Sequence, residues 1–284
     1  RETLGKDYII SGRILNFMNY GSNSSRTRTL MIGVDKAYRN NITPYDIYPE
    51  FRPEKTLREV IYDFPRLEWG EICATDFYHA FRTYKPEMRE WIHDLREGES
   101  AFDNADPAKR PHRVVDGKIV ENIRKNRDKY TRQPWDRFIQ CVHTRNDQLA
   151  AQNTIHPEQD RVYSIRELMA MMTIPDDFRW VDMSLDELNA LSDKEKKNIY
   201  KNHEMNIRQC LGEAVPTEIM RQLAEAIRSK LSQKRCESIE INRIIETVEH
   251  YRRSPAFRKL AGIRRKYRHK LKKCQLHELH ELQR

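Results

Sequence analysis

The 284-residue protein is expected to have an α/β fold, and three observations predict it. Two short β-branched and apolar runs lie near the start and read as buried strands. A long middle stretch shows no sustained periodicity. From Ser164 onward, apolar residues recur at helical spacing behind helix-start signals. Hydrophobic residues make up 38% of the total, which is sufficient for a real core at this length.

The strand runs are Tyr8–Leu15 and Thr29–Val34, joined by a polar stretch of Asn, Gly and Ser. Residues 35–155 mix short apolar runs with Pro, Asn, Asp and Gly, and only Met88–Leu95 has helical spacing. An irregular α+β region with short elements is expected there. Ser164-Ile-Arg-Glu167 is a capping box, in which the Ser accepts from the first turn and the Glu reaches back. Leu168, Met171 and Met172 form the apolar face behind it, and Pro175 ends the helix. Ser184-Leu-Asp-Glu187 opens a second helix, whose continuation through Asp193–Lys197 reads as mostly a solvated face. Beyond Pro216, Ile219, Leu223, Ala226 and Ile227 define a further helix, and Ile241–Tyr251 and Phe257–Leu271 suggest two more.

Charge is unevenly placed. Arg228–Arg284 holds 17 Lys and Arg against 6 Glu and no Asp, a net +11 within a protein of net +9. The remainder is therefore slightly acidic. Such a block is an electrostatic footprint for a polyanion, because each neutralised phosphate releases counterions. Nucleic acid is the natural partner, although charge alone fits a solvated basic helix equally well. No run approaches the roughly 18 apolar residues of a membrane span, and no signal pattern is present, so a cytoplasmic setting without membrane contact is expected. Cys73, Cys141, Cys210, Cys236 and Cys274 contain no CxxC pair, which fits reduced thiols. No structural metal is expected, since Cys274, His277 and His280 share a helical face only loosely. His277-Glu278-Leu279-His280-Glu281 has Glu where a second HExxH ligand would stand.

Nine glycines are present and no two are separated by a single residue, so the GxGxxG cofactor loop is missing from this sequence. No GxSxG, P-loop or EF-hand pattern occurs either. Three other stretches show a pattern. The first is Tyr20-Gly21-Ser22-Asn23-Ser24-Ser25-Arg26-Thr27-Arg28, running into the strand Thr29–Gly33. The second is Arg161-Val162-Tyr163-Ser164-Ile165-Arg166-Glu167, continuing to Ile174-Pro175-Asp176-Asp177-Phe178. The third is Gly212-Glu213-Ala214-Val215-Pro216.

In this order the stretches resemble motifs eight, nine and ten of the DNA cytosine C5-methyltransferases. Ser24 stands where that family usually has Gln, and Glu213 where it usually has Asn. Thr56–Pro65 is also similar to a family phrase ending in Asp-Leu-Pro. Each piece alone is commonplace: a capping box usually only starts a helix, and Arg-x-Arg is usually surface charge. Their order across roughly 200 residues carries the resemblance.

The resemblance implies chemistry on a flipped-out cytosine. A cysteine thiolate adds to C6, an acid assists at N3, and C5 takes a methyl group from S-adenosylmethionine. The family places that cysteine in a Pro-Cys pair and the acid in Glu-Asn-Val, and neither occurs in this sequence. The expectation is therefore the C-terminal part of such an enzyme, inactive alone. Residues 1–34 would end the sheet of the S-adenosylmethionine-dependent catalytic domain, and 35–155 would form the target-recognition domain. Residues 156–227 would return to the catalytic domain through motifs nine and ten, and 228–284 would form a basic helical extension.

By the same resemblance, Arg28 would face the cytosine pocket and donate to the base carbonyl, with Arg26 as its structural or phosphate-contacting neighbour in the catalytic set. Gly212, Glu213, Ala214 and Val215 would line the S-adenosylmethionine site. Arg124, Lys125, Arg127, Lys129, Arg132, Arg137 and Arg145 are the candidate contacts to double-stranded DNA. Arg161, Arg166 and Glu167 are assigned to the scaffold, with a buried Arg–Glu pair expected in place of proton transfer. The protein would be a subunit of a naturally split restriction-modification methyltransferase or a fragment of a longer one. The alternative from another class is a catalytically empty, sequence-specific DNA-binding module.

Overall fold

The computed structural model describes residues 4–122 and 128–232. Two units make up the molecule, Arg1–Arg228 and Ser229–Arg284, and nearly all the described residues belong to the first. Arg124, Lys125 and Arg127, the suggested helices at 241–251 and 257–271, and the Cys274–His280 group lie outside the described residues.

The described fold is mixed α/β. Its strands pair as three antiparallel hairpins, β1 (Tyr8–Asn16) with β2 (Thr27–Asp35), β3 (Ile72–Cys73) with β4 (Asp76–Ala80), and β5 (His112–Val115) with β6 (Lys118–Glu121). Between and after them stand α1 (Leu57–Ile61), α2 (Pro86–Ile92), α3 (Ile165–Met171), α4 (Leu185–Ala190), α5 (Asp193–Glu213) and α6 (Thr217–Ser232). Four of these helices open with a reciprocal capping box: Thr56 with Glu59, Ser164 with Glu167, Ser184 with Glu187, and Ser192 with Glu195. Each N-cap side group satisfies a backbone donor that the first turn leaves orphaned, a contribution of about 1 kcal/mol.

The last of these boxes corrects the expectation for Asp193–Lys197. Leu191 is extended and ends α4, and Ser192 caps a separate 21-residue helix. Within Asp193–Lys197 only Lys196 is buried, so the run is mostly solvated as expected, while Glu204 and Arg208 farther along α5 are buried.

Three apolar clusters hold the unit together. The largest joins Leu57 and Ile61 of α1, Phe77 and Tyr78 of β4, Leu168 and Met169 of α3, and Leu211 of α5. A second gathers Phe81, Trp91, Ile92, Tyr130, Leu149, Ile155 and Val162. Both draw on residues before and after 155, so the expected boundary at 155–156 does not separate two cores. The third packs Leu15, Ile32 and Val34 of the first hairpin against Ile219 and Leu223 of α6.

The β1–β2 register pairs Gly12 with Met31 and Ile14 with Thr29. Side groups alternate between faces, so Leu15, Ile32 and Val34 point toward α6 while Ile14 and Met31 point the other way. Ile14 is 75% exposed and Met31 is 67% exposed. Among the described residues no third strand extends this sheet. No described helix is long and apolar enough to cross a membrane.

Candidate functional site

The loop entering β2 is built into the core. Ser25 donates from its backbone to the Ile139 carbonyl at 2.8 Å, and the Asn23 amide donates to the Ala170 carbonyl at 2.8 Å. Ser24, at the position of the family's Gln, is buried with its hydroxyl 3.7 Å from the Met172 sulfur. A small hydroxyl fits there because the loop lies directly against α3.

Arg26 is buried at 4% exposure. Its Nη1 donates to the carbonyls of Val142 at 3.2 Å and Gly212 at 3.1 Å, and its Nη2 to that of Glu213 at 3.1 Å. The last two carbonyls end α5, where aligned peptide dipoles leave partial negative charge. Arg26 therefore caps the C-terminus of α5 and ties the loop to it. Burial, with the nearby Arg28 charge, pulls its guanidinium below the ordinary value. Its two terminal nitrogens donate within the protein, while its buried Nε has no hydrogen-bond partner among the described residues.

Arg28 is placed oppositely. It is exposed, and its Nη1 donates only to the neighbouring Thr27 carbonyl at 2.7 Å. A guanidinium held there is available to a ligand.

Gly212 belongs to the last turn of α5, and residues 214–216 form an elbow between α5 and α6. A Cβ on Gly212 would stand 2.4 Å from the His143 carbonyl carbon and 2.4 Å from the Thr144 nitrogen. Backbone packs on backbone here, and only glycine permits it. Beyond it, Ala214 is extended and Val215 is exposed, and the Glu213 carboxylate accepts from Gln209 Nε2 at 3.0 Å. The Thr217 backbone donates to the Met172 carbonyl, anchoring the start of α6 to the end of α3.

The scaffold residues form two ion-pair sets. Arg161 and Glu167 are both fully buried and paired through two bonds, Nη1 to Oε2 at 2.8 Å and Nη2 to Oε1 at 2.7 Å. Glu167 also closes its capping box by accepting from Ser164 N at 2.7 Å. The guanidinium overcomes the cost of burial and holds the Glu167 carboxyl far below its usual range. Burial among these charges keeps His156 neutral, its pKa pushed down to about 3. Arg166 instead joins β4 to the turn after α3, bonding Asp76 at 2.5 Å and Asp176 at 3.1 Å.

Of the candidate DNA contacts within the described residues, Arg137 and Arg145 are exposed and Lys129 is exposed to a lesser degree at the edge of its loop. Arg132 is not available to phosphate. It is buried, with Nη2 bonded to the Ile92 carbonyl and to Asp160 at 2.7 Å each, and Nη1 facing the His156 carbonyl at 3.1 Å. Another buried arginine escapes sequence reading: Arg208 donates to Glu204 at 2.9 Å, to Asn146 Oδ1 at 3.1 Å and to the Tyr163 carbonyl at 2.9 Å. The Glu204–Arg208 spacing of four on a helix is the signal that could have found it. An open cleft of about 540 Å³ over α3 escapes it too, bordered by Arg137, Gln140, Cys141, His143 and Asn146. These residues share no motif spacing, so nothing in the sequence marks them as neighbours.

Across residues 2–229 the sequence matches the family model described as C-5 cytosine-specific DNA methylase. The protein belongs to that family. Among solved structures it is similar to an E. coli protein described as a putative DNA modification methyltransferase encoded within a prophage. That likeness has a TM-score of 0.51 at 14% identity; it covers 81% of the present protein and 63% of the length of the other. No curated protein matches.

Proposed function

We propose that the protein is the target-recognition and C-terminal part of a DNA cytosine C5-methyltransferase. It works with a polypeptide segment that bears the Pro-Cys nucleophile and the glycine-rich cofactor loop. The observation that carries this reading is the bare face of the β1–β2 hairpin. α6 covers one face, while Ile14 and Met31 stand exposed on the other. A lone two-stranded sheet is marginal in water, and burying two such side groups contributes roughly 1.5–3 kcal/mol each. The rest of an α/β sheet, with its own helix layer, is the natural cover.

In this reading Arg28 donates to the carbonyl of the target cytosine and steadies charge that develops on the ring. Arg26 fixes the loop that presents it, by holding the end of α5. Exposed Arg137 and Arg145 contact phosphates, which sets orientation and holds no sequence information.

The residues at the helix elbow fit one wall of an S-adenosylmethionine site in part. Glu213 offers an acceptor for hydroxyl or ammonium donors, and Val215 offers an exposed apolar surface beside Ala214. Gly212 does not fit as a contact, because its backbone is packed against residues 143–144 and its carbonyl is taken by Arg26. When bound, the cofactor supplies an electrophilic methyl group.

The test is methyl transfer from labelled S-adenosylmethionine to DNA by the reconstituted enzyme, comparing wild type with Arg28→Ala. A loss of about a hundredfold in turnover with unchanged folding is expected for a donor removed from developing charge. Turnover within about twofold of wild type would remove Arg28 from the cytosine site.

A further inference from the structure

The β5–β6 hairpin buries little. Val114 is 65% exposed and Ile119 is 55% exposed, and they face each other across the ladder. Its turn is Asp116-Gly117, both with positive φ, the geometry of a tight two-residue hairpin. Val114, Val115 and Ile119 thus stiffen a ribbon that contributes almost nothing to the core. At its base, Arg110 pairs with Glu121 at 3.6 Å. Among the described residues, Arg113, Asp116 and Lys118 make no ion pair, so three charges stand free along an exposed ribbon.

We propose that this ribbon enters the major groove of duplex DNA tip first, with Asp116 and Lys118 reading a C·G base pair and Arg113 holding a phosphate. The proposal rests on the DNA-methyltransferase reading above and names its specificity element. Dimensions fit: two paired strands with side groups on both faces are about 10 Å thick, and the groove is about 12 Å wide and 8.5 Å deep. At about 3.4 Å rise per residue, two or three residues from the turn reach the base edges. Chemistry fits as well. Cytosine presents an N4 amino donor, which a carboxylate accepts, and its guanine presents O6 and N7, which an ammonium meets. Carboxylate and ammonium flank one glycine at the tip. Arg113, further back along β5, then lies at the depth of the backbone.

The test uses the whole 284-residue sequence. A preferred sequence is selected from a randomised duplex pool, and binding to it and to its single base-pair variants is measured across a salt series. Asp116→Asn keeps the left-handed turn, since Asn-Gly favours it, but adds donors where an acceptor is needed. It is expected to unfold at the same temperature as wild type and to lose at least about fivefold of its discrimination at one C·G position. Arg113→Ala is expected to weaken binding to all sequences alike and to make the salt slope shallower by about 1. Unchanged discrimination in Asp116→Asn would overturn the proposal, whatever the salt slope does, leaving at most a phosphate contact. The two readings fail differently. If the ribbon is not the reader, wild type still selects a sequence and the variants select the same one; if the protein does not recognise DNA, wild type selects none and both readings fall.

Discussion

Arg26 and Arg28 stand two residues apart, and burial separates them. Arg26 points its terminal nitrogens at Val142 and the end of α5, while Arg28 keeps its guanidinium in solvent. Sequence alone names both but does not divide their roles, because what decides is the approach of residues 142 and 212 from far away in the polypeptide. Arg132 misleads for the same reason: a basic stretch looks solvated until Asp160 and four carbonyls close around one of its members. Gly212 offers a sharp test of such packing. Gly212→Ala forces a Cβ into the 143–144 backbone, and a loss of about 3 kcal/mol or more is expected in urea unfolding. A loss under about 0.5 kcal/mol would contradict the close packing. His156 gives a pH prediction. It is neutral when folded, with a pKa of about 3 against an ordinary 6.5, so the unfolded state takes up its proton first as pH falls. The stability it contributes is full above about pH 6.5 and is lost progressively toward pH 3, by roughly tenfold in the folding equilibrium per pH unit. Glu167, also depressed, adds to the loss below about pH 4.5. In His156→Gln the slope between about pH 6.5 and 4.5 is expected to vanish; an unchanged slope would place the titration elsewhere.

Elements are legible where local chemistry alone specifies them. Ser164 with Glu167 and Ser184 with Glu187 announce α3 and α4, and both strand runs become β1 and β2. Thr56 with Glu59 and Ser192 with Glu195 give the same signal less audibly, the one inside a stretch that reads as irregular and the other inside a charged run. The exposed hairpin face makes a prediction of its own. Ile14→Glu with Met31→Glu alters side groups that touch little of the folded core, so unfolding should shift by no more than about 0.5 kcal/mol. On the proposed reading, association with a catalytic polypeptide, measured by calorimetry, should weaken at least about tenfold, since charge would replace apolar surface on the docking face. Unchanged association would mean that the face is not the docking surface.

Across the whole molecule, the cores cross the boundary that sequence character suggests. Residues 57–155 and 156–214 share two apolar clusters, so the two stretches fold as one body. Change of composition along a polypeptide marks a change of local texture, and long-range packing leaves no such mark. The family resemblance, by contrast, is readable in the sequence and agrees with the family match over residues 2–229. The proposal that this body recognises DNA and completes a methyltransferase whose nucleophile lies on another segment stands or falls on one assay. Transfer of labelled methyl groups from S-adenosylmethionine to DNA is measured for the protein alone and with a co-purifying or adjacently encoded polypeptide that contains Pro-Cys. No transfer by the protein alone, and transfer on mixing, are the expected results. Transfer by these 284 residues without a partner would contradict the proposal.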